Sequence, residues 1–265
     1  MIEFSDRADP VRSAFPQVSV VVPTRNEARN LEVVLPELAA QPLVSQVVVV
    51  DGHSVDGTVE VARRVLPTAT VLTQTRRGKG NAMACGFQAA TGEIVVMFDA
   101  DGSADPAEIP AFVEALVAGA DVAKGSRFRA GGGSDDITPL RRWGNAGLNT
   151  VANLLFRTSH TDLCYGYNAF WADVLPVLDL PAVETPDTGG PLAWGDGFEI
   201  ETILNCRVAA AGLKITEVAS EERLRIHGET NLRTFADGTR VLRTLMAEHH
   251  RARRVRRSRV AAAVH

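Results

Sequence analysis

Cysteine is scarce in this 265-residue chain: only Cys85, Cys164 and Cys206, an odd number at wide spacing with no CxxC pair. That leaves no disulfide framework or cysteine zinc site to argue for, and it reads as reduced thiols in a cytoplasmic protein. No apolar run approaches the roughly 18 residues that suggest a membrane span. The opening MIEFSDRADPVR is charged where a secretory signal has its apolar core, so neither export nor a spanning anchor is expected. Also missing are a GxxxxGK loop and a GxGxxG turn after a strand, which sets aside ATPase and dinucleotide-binding readings.

What is present is ordinary globular composition, 45% hydrophobic and 23% charged, in a chain long enough for one large domain. The net charge of −4 is unevenly spread: Arg251, Arg253, Arg254, Arg256, Arg257 and Arg259 make a basic tail on a more acidic body. Such a tail suggests an anionic partner, a cytoplasmic leaflet or nucleic acid.

Strand and helix signals alternate through the first half. Val18 to Val22 is an apolar run closed by Pro23, and Thr24 to Glu27 has the form of a capping box before Leu31, Val34, Leu35 and Leu38 at helical spacing. Val44 to Val50 is a second strand ending in Asp51, and Thr70 to Thr73 a third. Arg76-Arg77-Gly78-Lys79-Gly80 leads into a helix over Asn81 to Ala90. Ile94 to Phe98 is a fourth strand, with a helix from Pro106, and Asp121 to Ser126 a fifth. This order predicts an α/β fold with a largely parallel sheet covered on both faces, and in such sheets ligands collect beyond the carboxyl ends of the strands. Thr24, Asn26, Glu27, Asp51, Arg76, Lys79, Asp99, Asp101 and Arg127 stand at those ends. Later, 130–134 reads as a lid loop, Leu140 to Phe156 as a helix, Asp162 to Phe170 as strand-like and Phe198 to Ala211 as a helix. An amphipathic helix follows from about Phe235. The divisions expected are an extension over 1–17, a main domain over 18–234 and a helix with its basic tail over 235–265.

The stretch IVVMFDADGSAD, Ile94 to Asp105, carries the most chemistry. Asp99 and Asp101 are two apart, so in extended geometry both leave the same face just past a buried strand. Two like charges about 4 Å apart repel by roughly 4 kcal/mol at an effective dielectric of about 20. A hard divalent cation, Mg2+ or Mn2+, turns that penalty into a site of the kind that bridges protein carboxylates to a diphosphate.

Several pieces, in this order and spacing, resemble the family 2 inverting glycosyltransferases, most closely the polyprenyl-phosphate (dolichol-phosphate mannose synthase-like) branch. They are VVPTRNEARNL (Val21 to Leu31), VVVDGHSVDGT (Val48 to Thr58), RGKGNAMACGFQAATGEIVVMFDADGSADP (Arg77 to Pro106), KGSRF (Lys124 to Phe128), DLCYGYNAF (Asp162 to Phe170), GDGFEIET (Gly195 to Thr202) and RIHGETNL (Arg225 to Leu232). The resemblance implies a GT-A fold with an acceptor-side region after the nucleotide-binding sheet. It implies a nucleotide pocket of Pro23, Thr24, Asn26, Glu27, Asp51, Lys79, Asp99 and Ala100, with Asp99 and Asp101 holding magnesium or manganese. Acceptor binding falls to Arg127, Arg141, Arg142, Arg225 and Asn231, and the catalytic set is Asp101, Arg127 and Asp196. Two positions depart from the branch: Gly52, where a second acid is usual, and Ser103, where Gln or His is common.

The implied reaction moves a sugar from a UDP- or GDP-linked donor to an acceptor. A polyprenyl phosphate is already an anion and needs arginines to position it, not a strong base. A hydroxyl on a soluble metabolite needs a carboxylate to take its proton, for which Asp196 is the candidate, with Glu199 and Glu201 behind it. A lipid acceptor would be met peripherally at the inner face of the membrane through the arginine-rich carboxyl terminus; no nucleic acid is expected. An apolar strand running into Asp-x-Asp-Gly-Ser also resembles the nucleophile loop of haloacid-dehalogenase-like phosphatases, with Asp99 as nucleophile.

Overall fold

The computed structural model describes residues 12–185, 187, 189–228 and 234–262. Valine-rich segments form its centre, because β-branched side chains pack well on a pleated surface buried on both faces. In chain order the first half is β1 (Val18–Thr24), α1 (Ala28–Ala39), β2 (Val44–Asp51), α2 (Thr58–Val65), β3 (Thr70–Thr73), α3 (Lys79–Ala89), β4 (Ile94–Met97), α4 (Ile109–Val117) and β5 (Val122–Ser126). The second half is β6 (Gly133–Ser134), α5 (Pro139–Phe156), β7 (Asn168–Trp171), α6 (Leu175–Leu178), α7 (Ile200–Ala210), β8 (Ile215–Ala219), β9 (Glu221–Glu222) and α8 (Thr234–Ala262).

Seven strands form one sheet in the order β3-β2-β1-β4-β7-β5-β8, parallel except for β7, which runs against both neighbours. The carboxyl ends of β1, β2, β3, β4, β5 and β8 therefore share one rim. The strand order reverses at β1, where β2 lies on one side and β4 on the other, the kind of switch point outside which ligands bind in open α/β sheets. Val20, Val21, Val22, Val48 to Val50 and Ile94 to Val96 are all fully buried. Each such side chain stabilises the fold by about 1.5–3 kcal/mol. α1 lays Leu31, Val34, Leu35 and Leu38 on the core as their spacing predicts.

Four expectations change. α1 is not closed by a capping box: Glu27 is its N-cap residue without a side-chain cap. The Ala28 amide donates instead to Asp56 from the neighbouring loop, at 3.1 Å. The segment 162–170 is strand only from Asn168, because asparagines of α5 satisfy the backbone before it. Asn149 bonds the Thr161 carbonyl and the Leu163 amide, and Asn153 bonds His160. The lid loop is pinned, since Gly133–Ser134 pair in parallel with Glu221–Glu222. Finally, α8 spends its apolar face inside the protein. Leu245 is fully buried in a second cluster with Ala152, Leu163 and Cys206, and Glu248 makes a buried ion pair with Arg207 at 2.9 Å.

Candidate active site

Two loops at the rim are clasped together. The Asn26 amide donates to Ser54 Oγ at 2.8 Å, Asn26 Oδ1 accepts from the Val55 amide at 2.9 Å, and the Glu27 amide donates to Thr58 Oγ1 at 3.0 Å. Asn26 holds a left-handed backbone, φ +58°, which asparagine tolerates better than most residues. Thr24 and Asp51 are register partners at the ends of β1 and β2, both buried, and Asp51 accepts from the Ser54 amide. Pro23, Thr24, Asn26, Glu27 and Asp51 thus form one wall, with Asn26 spent on fixing it.

The opposite wall follows β4. Lys79, the first residue of α3, reaches Asp99 Oδ1 at 2.7 Å and Glu201 Oε1 at 2.6 Å. Burial opposes its charge, but these two carboxylates more than offset it and raise its pKa well above the ordinary lysine value. Asp99 Oδ2 has no hydrogen bond among the described residues, and its side chain is 41% exposed. Ala100 is buried behind it. Asp101 accepts from both the amide and the hydroxyl of Ser103, which fixes one oxygen; the other faces Arg225 at 3.3 Å. Arg225 also pairs with Glu27 and so joins the two walls. The segment bearing it lies across the aspartate loop, its Arg223 and Ile226 amides donating to the carbonyls of Ser103 and Asp101.

Gly166 completes the cluster. A Cβ there would sit 3.3 Å from Asp99 Oδ2, 3.4 Å from Glu201 Oε1 and 3.6 Å from Lys79 Nζ. Glycine at this position keeps the space beside Asp99 open. Gly80 has a different reason: a Cβ would overlap the Gly195 carbonyl, because the start of α3 docks on the 195–197 turn through the Gly80 and Asn81 amides.

No group of three or more His, Cys, Asp or Glu side chains suited to a metal occurs among the described residues. Asp99 and Asp101 nevertheless fit a hard divalent cation as a two-carboxylate, oxygen-only seat, partly open, whose remaining ligands must come from outside the protein. Lys79 and Arg225 supply the positive charge there. Ser103 anchors Asp101.

Comparison with known proteins agrees with this architecture. The family model "Glycosyl transferase family 2" matches residues 19–177. The chain belongs to glycosyl transferase family 2. Among relatives of this glycosyltransferase, undecaprenyl-phosphate mannosyltransferase of Micrococcus luteus is 32% identical over 76% of this chain and 82% of its own length. The dolichol-phosphate mannosyltransferase of Pyrococcus furiosus is 29% identical over 82% of this chain and 59% of its own. An uncharacterized glycosyltransferase of Mycobacterium tuberculosis is 42% identical over 76% of this chain and 83% of its own. The resemblance to the polyprenyl-phosphate branch therefore holds. Glucosyl-3-phosphoglycerate synthase of Mycobacterium tuberculosis, crystallised with Mn2+, UDP-glucose and phosphoglyceric acid, superposes with a TM-score of 0.68 at 22% identity. That alignment covers 89% of this chain and 81% of the other, and it shares the GT-A fold. The phosphatase reading falls with these matches, and β4 being the fourth strand of its domain argues the same way.

Two of the residues expected to be catalytic are buried in ion pairs. Arg127, just past β5, is 8% exposed. Its Nε and Nη2 donate to the two oxygens of fully buried Asp162 at 2.7 and 2.9 Å, its Nη1 donates to Glu222, and its guanidinium stacks 4.9 Å from the Tyr165 ring. A phosphate could take it only by breaking a buried bidentate pair, so in this structure its guanidinium ties Asp162 to Glu222. Asp196, 1% exposed, accepts from Arg76 Nε and Nη2 at 2.7 and 2.9 Å, so each of its oxygens is engaged by a buried guanidinium. Glu199 is taken up by the Gly195 and Gly197 amides. Of the three acids in this segment only Glu201 reaches the site. Its signal in the sequence is weak: Glu199 and Glu201, two apart at a helix start, cannot share a face, but spacing alone leaves open which one turns inward.

The acceptor arginines do not form one cluster. Arg141 bonds Asp136 at 2.9 Å, and Arg142 lies 5.5 Å from the Phe128 ring with no ion-pair partner among the described residues. Both are at the start of α5, whereas Arg225 is at the Asp101 wall. Asn231 lies outside the described residues.

Proposed function

We propose that this protein is an inverting, metal-assisted transferase that moves a sugar from a UDP- or GDP-linked donor to a polyprenyl phosphate at a membrane surface on the cytoplasmic side. One observation carries the reading. Past the carboxyl end of β4, Lys79 is paired with Asp99 and Glu201, and Asp101, two residues on, is paired with Arg225, so bases and partly exposed acids stand together where a metal-bound diphosphate would be held.

In this reading the clasped wall of Pro23, Thr24, Asn26, Glu27 and Asp51 takes the nucleoside. Asp99 and Asp101 would hold Mg2+ or Mn2+, and the bound ion supplies charge that stabilises a departing diphosphate. Lys79, kept charged by Asp99 and Glu201, adds a second positive group on the same side, and Glu201 orients it. Arg225 is held where it can exchange Asp101 for an incoming phosphate oxygen. Gly166 leaves room for the sugar beside Asp99.

The phosphate acceptor is favoured over a hydroxyl by the state of the acids. With Asp196 bound to Arg76, Glu199 to backbone amides and Glu201 to Lys79, each of the three acids weighed as a base already has a partner. A phosphate monoester needs none. Arg142, with no ion-pair partner among the described residues, is a cation available to it. The named activity of the Micrococcus luteus relative supports the same acceptor class. No helix among the described residues is long and apolar enough to cross a membrane, so the acceptor would be met from one side.

The test is a product assay with UDP- and GDP-sugars, Mn2+ and either a short-chain polyprenyl phosphate or soluble phosphorylated and hydroxyl acceptors. Nucleoside diphosphate release that rises only with the lipid phosphate, with a glycolipid product of inverted anomeric configuration, is the expected result. Transfer to a soluble hydroxyl alone would overturn the acceptor assignment.

A further inference from the structure

At the nucleoside end of the rim, the sheet's hydrogen bonding runs one residue past its regular pairs. The Gly52 amide donates to the Thr24 carbonyl at 2.7 Å, and the Gln74 amide donates to the Asp51 carbonyl at 3.0 Å. Thr24, Gly52 and Gln74 therefore stand side by side at the ends of β1, β2 and β3. Gln74 is 7% exposed, yet its side-chain amide makes no hydrogen bond among the described residues. Leaving a buried amide unpaired is penalised, and the same sheet shows how one is ordinarily satisfied. Gln46, near the amino end of β2, donates to the Ala89 carbonyl at 3.0 Å and accepts from Ser19 Oγ and the Thr91 amide.

The place beside the Gln74 amide is kept bare. A Cβ at Gly52 would stand 3.1 Å from the Thr24 carbonyl, 3.4 Å from Arg25 Cβ and 3.5 Å from Gln74 Oε1, so glycine puts no side chain between these three groups. Arg25 is exposed and makes no ion pair among the described residues. A planar guanidinium on that stem suits the face of an aromatic ring, as the glutamine amide suits its edge.

We propose that Gln74 reads the base of the donor nucleotide and that this base is uracil. The inference rests on the rim being the nucleotide site and narrows the two donors given above to one. A glutamine amide sets one donor beside one acceptor. The N3–H and O4 of uracil match that pair, the N3–H donating to Oε1 and O4 accepting from Nε2. Guanine offers the same pair at N1–H and O6 but adds an amino group, a further donor that needs its own acceptor. Gly52 has no side chain to receive it, and Asp51 is turned to the Ser54 amide at 3.1 Å. Docked against a buried glutamine, that amine would be desolvated without a partner, which is how a hydrogen-bonding site rejects the wrong ligand.

The test is calorimetric titration of the full chain with UDP, GDP and N3-methyl-UDP, all with Mn2+ and without acceptor. The parent should bind UDP at least tenfold more tightly than GDP, and at least tenfold more tightly than N3-methyl-UDP, which has lost the N3–H. Gln74→Ala, melting like the parent, should bind UDP and N3-methyl-UDP alike. Gln74→Glu, which only accepts, should weaken UDP at least tenfold and narrow its lead over GDP. Equal or tighter binding of GDP by the parent overturns the proposal, as does equal binding of UDP and its N3-methyl derivative. A methyl penalty undiminished in Gln74→Ala overturns it too; should that variant not fold, the two comparisons on the parent still decide. Transfer from a GDP-linked and not a UDP-linked sugar overturns this inference alone, whereas the expected nucleotide preference without any sugar transfer overturns only the functional reading.

Discussion

Two sets of ion pairs in this glycosyltransferase differ in how completely they are closed. Arg127–Asp162 and Arg76–Asp196 are bidentate, with side chains 7% exposed or less, and further hydrogen bonds occupy the remaining donors. Lys79–Asp99 and Arg225–Asp101 are looser, with 41% of Asp99 and 23% of Asp101 exposed and one Asp99 oxygen unbonded. A sealed pair costs several kcal/mol to leave half-made, whereas a partly solvated one exchanges partners readily. The first set holds the fold. The second is where a ligand can enter.

The comparison breaks most visibly on the rate. Asp101→Ala should lower turnover by about 1000-fold or more, roughly 4 kcal/mol of barrier, while the melting point stays within a few degrees. Near-normal release of nucleoside diphosphate by that variant would remove Asp101 from the site. The sealed set should answer in the opposite way. Asp196→Ala leaves Arg76 buried without its partner and should cost about 3–5 kcal/mol of stability, a fall of roughly 10 °C in melting temperature, with turnover of the folded fraction kept within a few-fold. A folded Asp196→Ala enzyme with no turnover would return Asp196 to the chemistry.

Acid should act on the sealed side as well. Burial, helped by the charge of Lys124, pushes the His160 imidazole down to about 4 from its ordinary 6.5. The unfolded chain therefore takes up this proton first. His160 contributes fully above about pH 6.5, and its contribution is lost as pH falls toward 4, up to about 3 kcal/mol in all. Melting curves from pH 7 to 4 should be flatter for His160→Gln than for the parent. The smallest effect expected is on the open side: Gly166→Ala, whose methyl would crowd Asp99, should weaken nucleotide binding in the presence of Mn2+ by about tenfold, about 1.4 kcal/mol, and leave melting unchanged. Calorimetry reads the first quantity and a thermal scan the second.

The half of the chain that alternates strand and helix was legible because period and length are local signals: Val18 to Val22, Val44 to Val50 and all but the last residue of Ile94 to Phe98 are strands where their apolar runs stand. The rim was legible too, since polar residues following buried runs have few structural reasons to be there. Partnership was not. Arg127 and Asp196 look as chemical as Lys79 and Asp99 on paper, and what separates them is a counter-ion 35 or 120 positions away. Glu201 was overshadowed by Asp196 for the same reason. The 162–167 segment imitates a strand because aromatics and apolar residues suit either a ladder or a coil held by asparagine side chains, and only the position of α5 decides between them.

The central claim is that the open set, Lys79, Asp99, Asp101 and Arg225, is a diphosphate site that needs a divalent cation. It is tested most directly by calorimetric titration of UDP and GDP into the parent and into Asp99→Asn, each with and without Mn2+. The account predicts that one nucleotide binds the parent at least tenfold more tightly with Mn2+ and that Asp99→Asn, folded and melting like the parent, loses this gain. Equal binding with and without the ion, or an undiminished gain in Asp99→Asn, would contradict it.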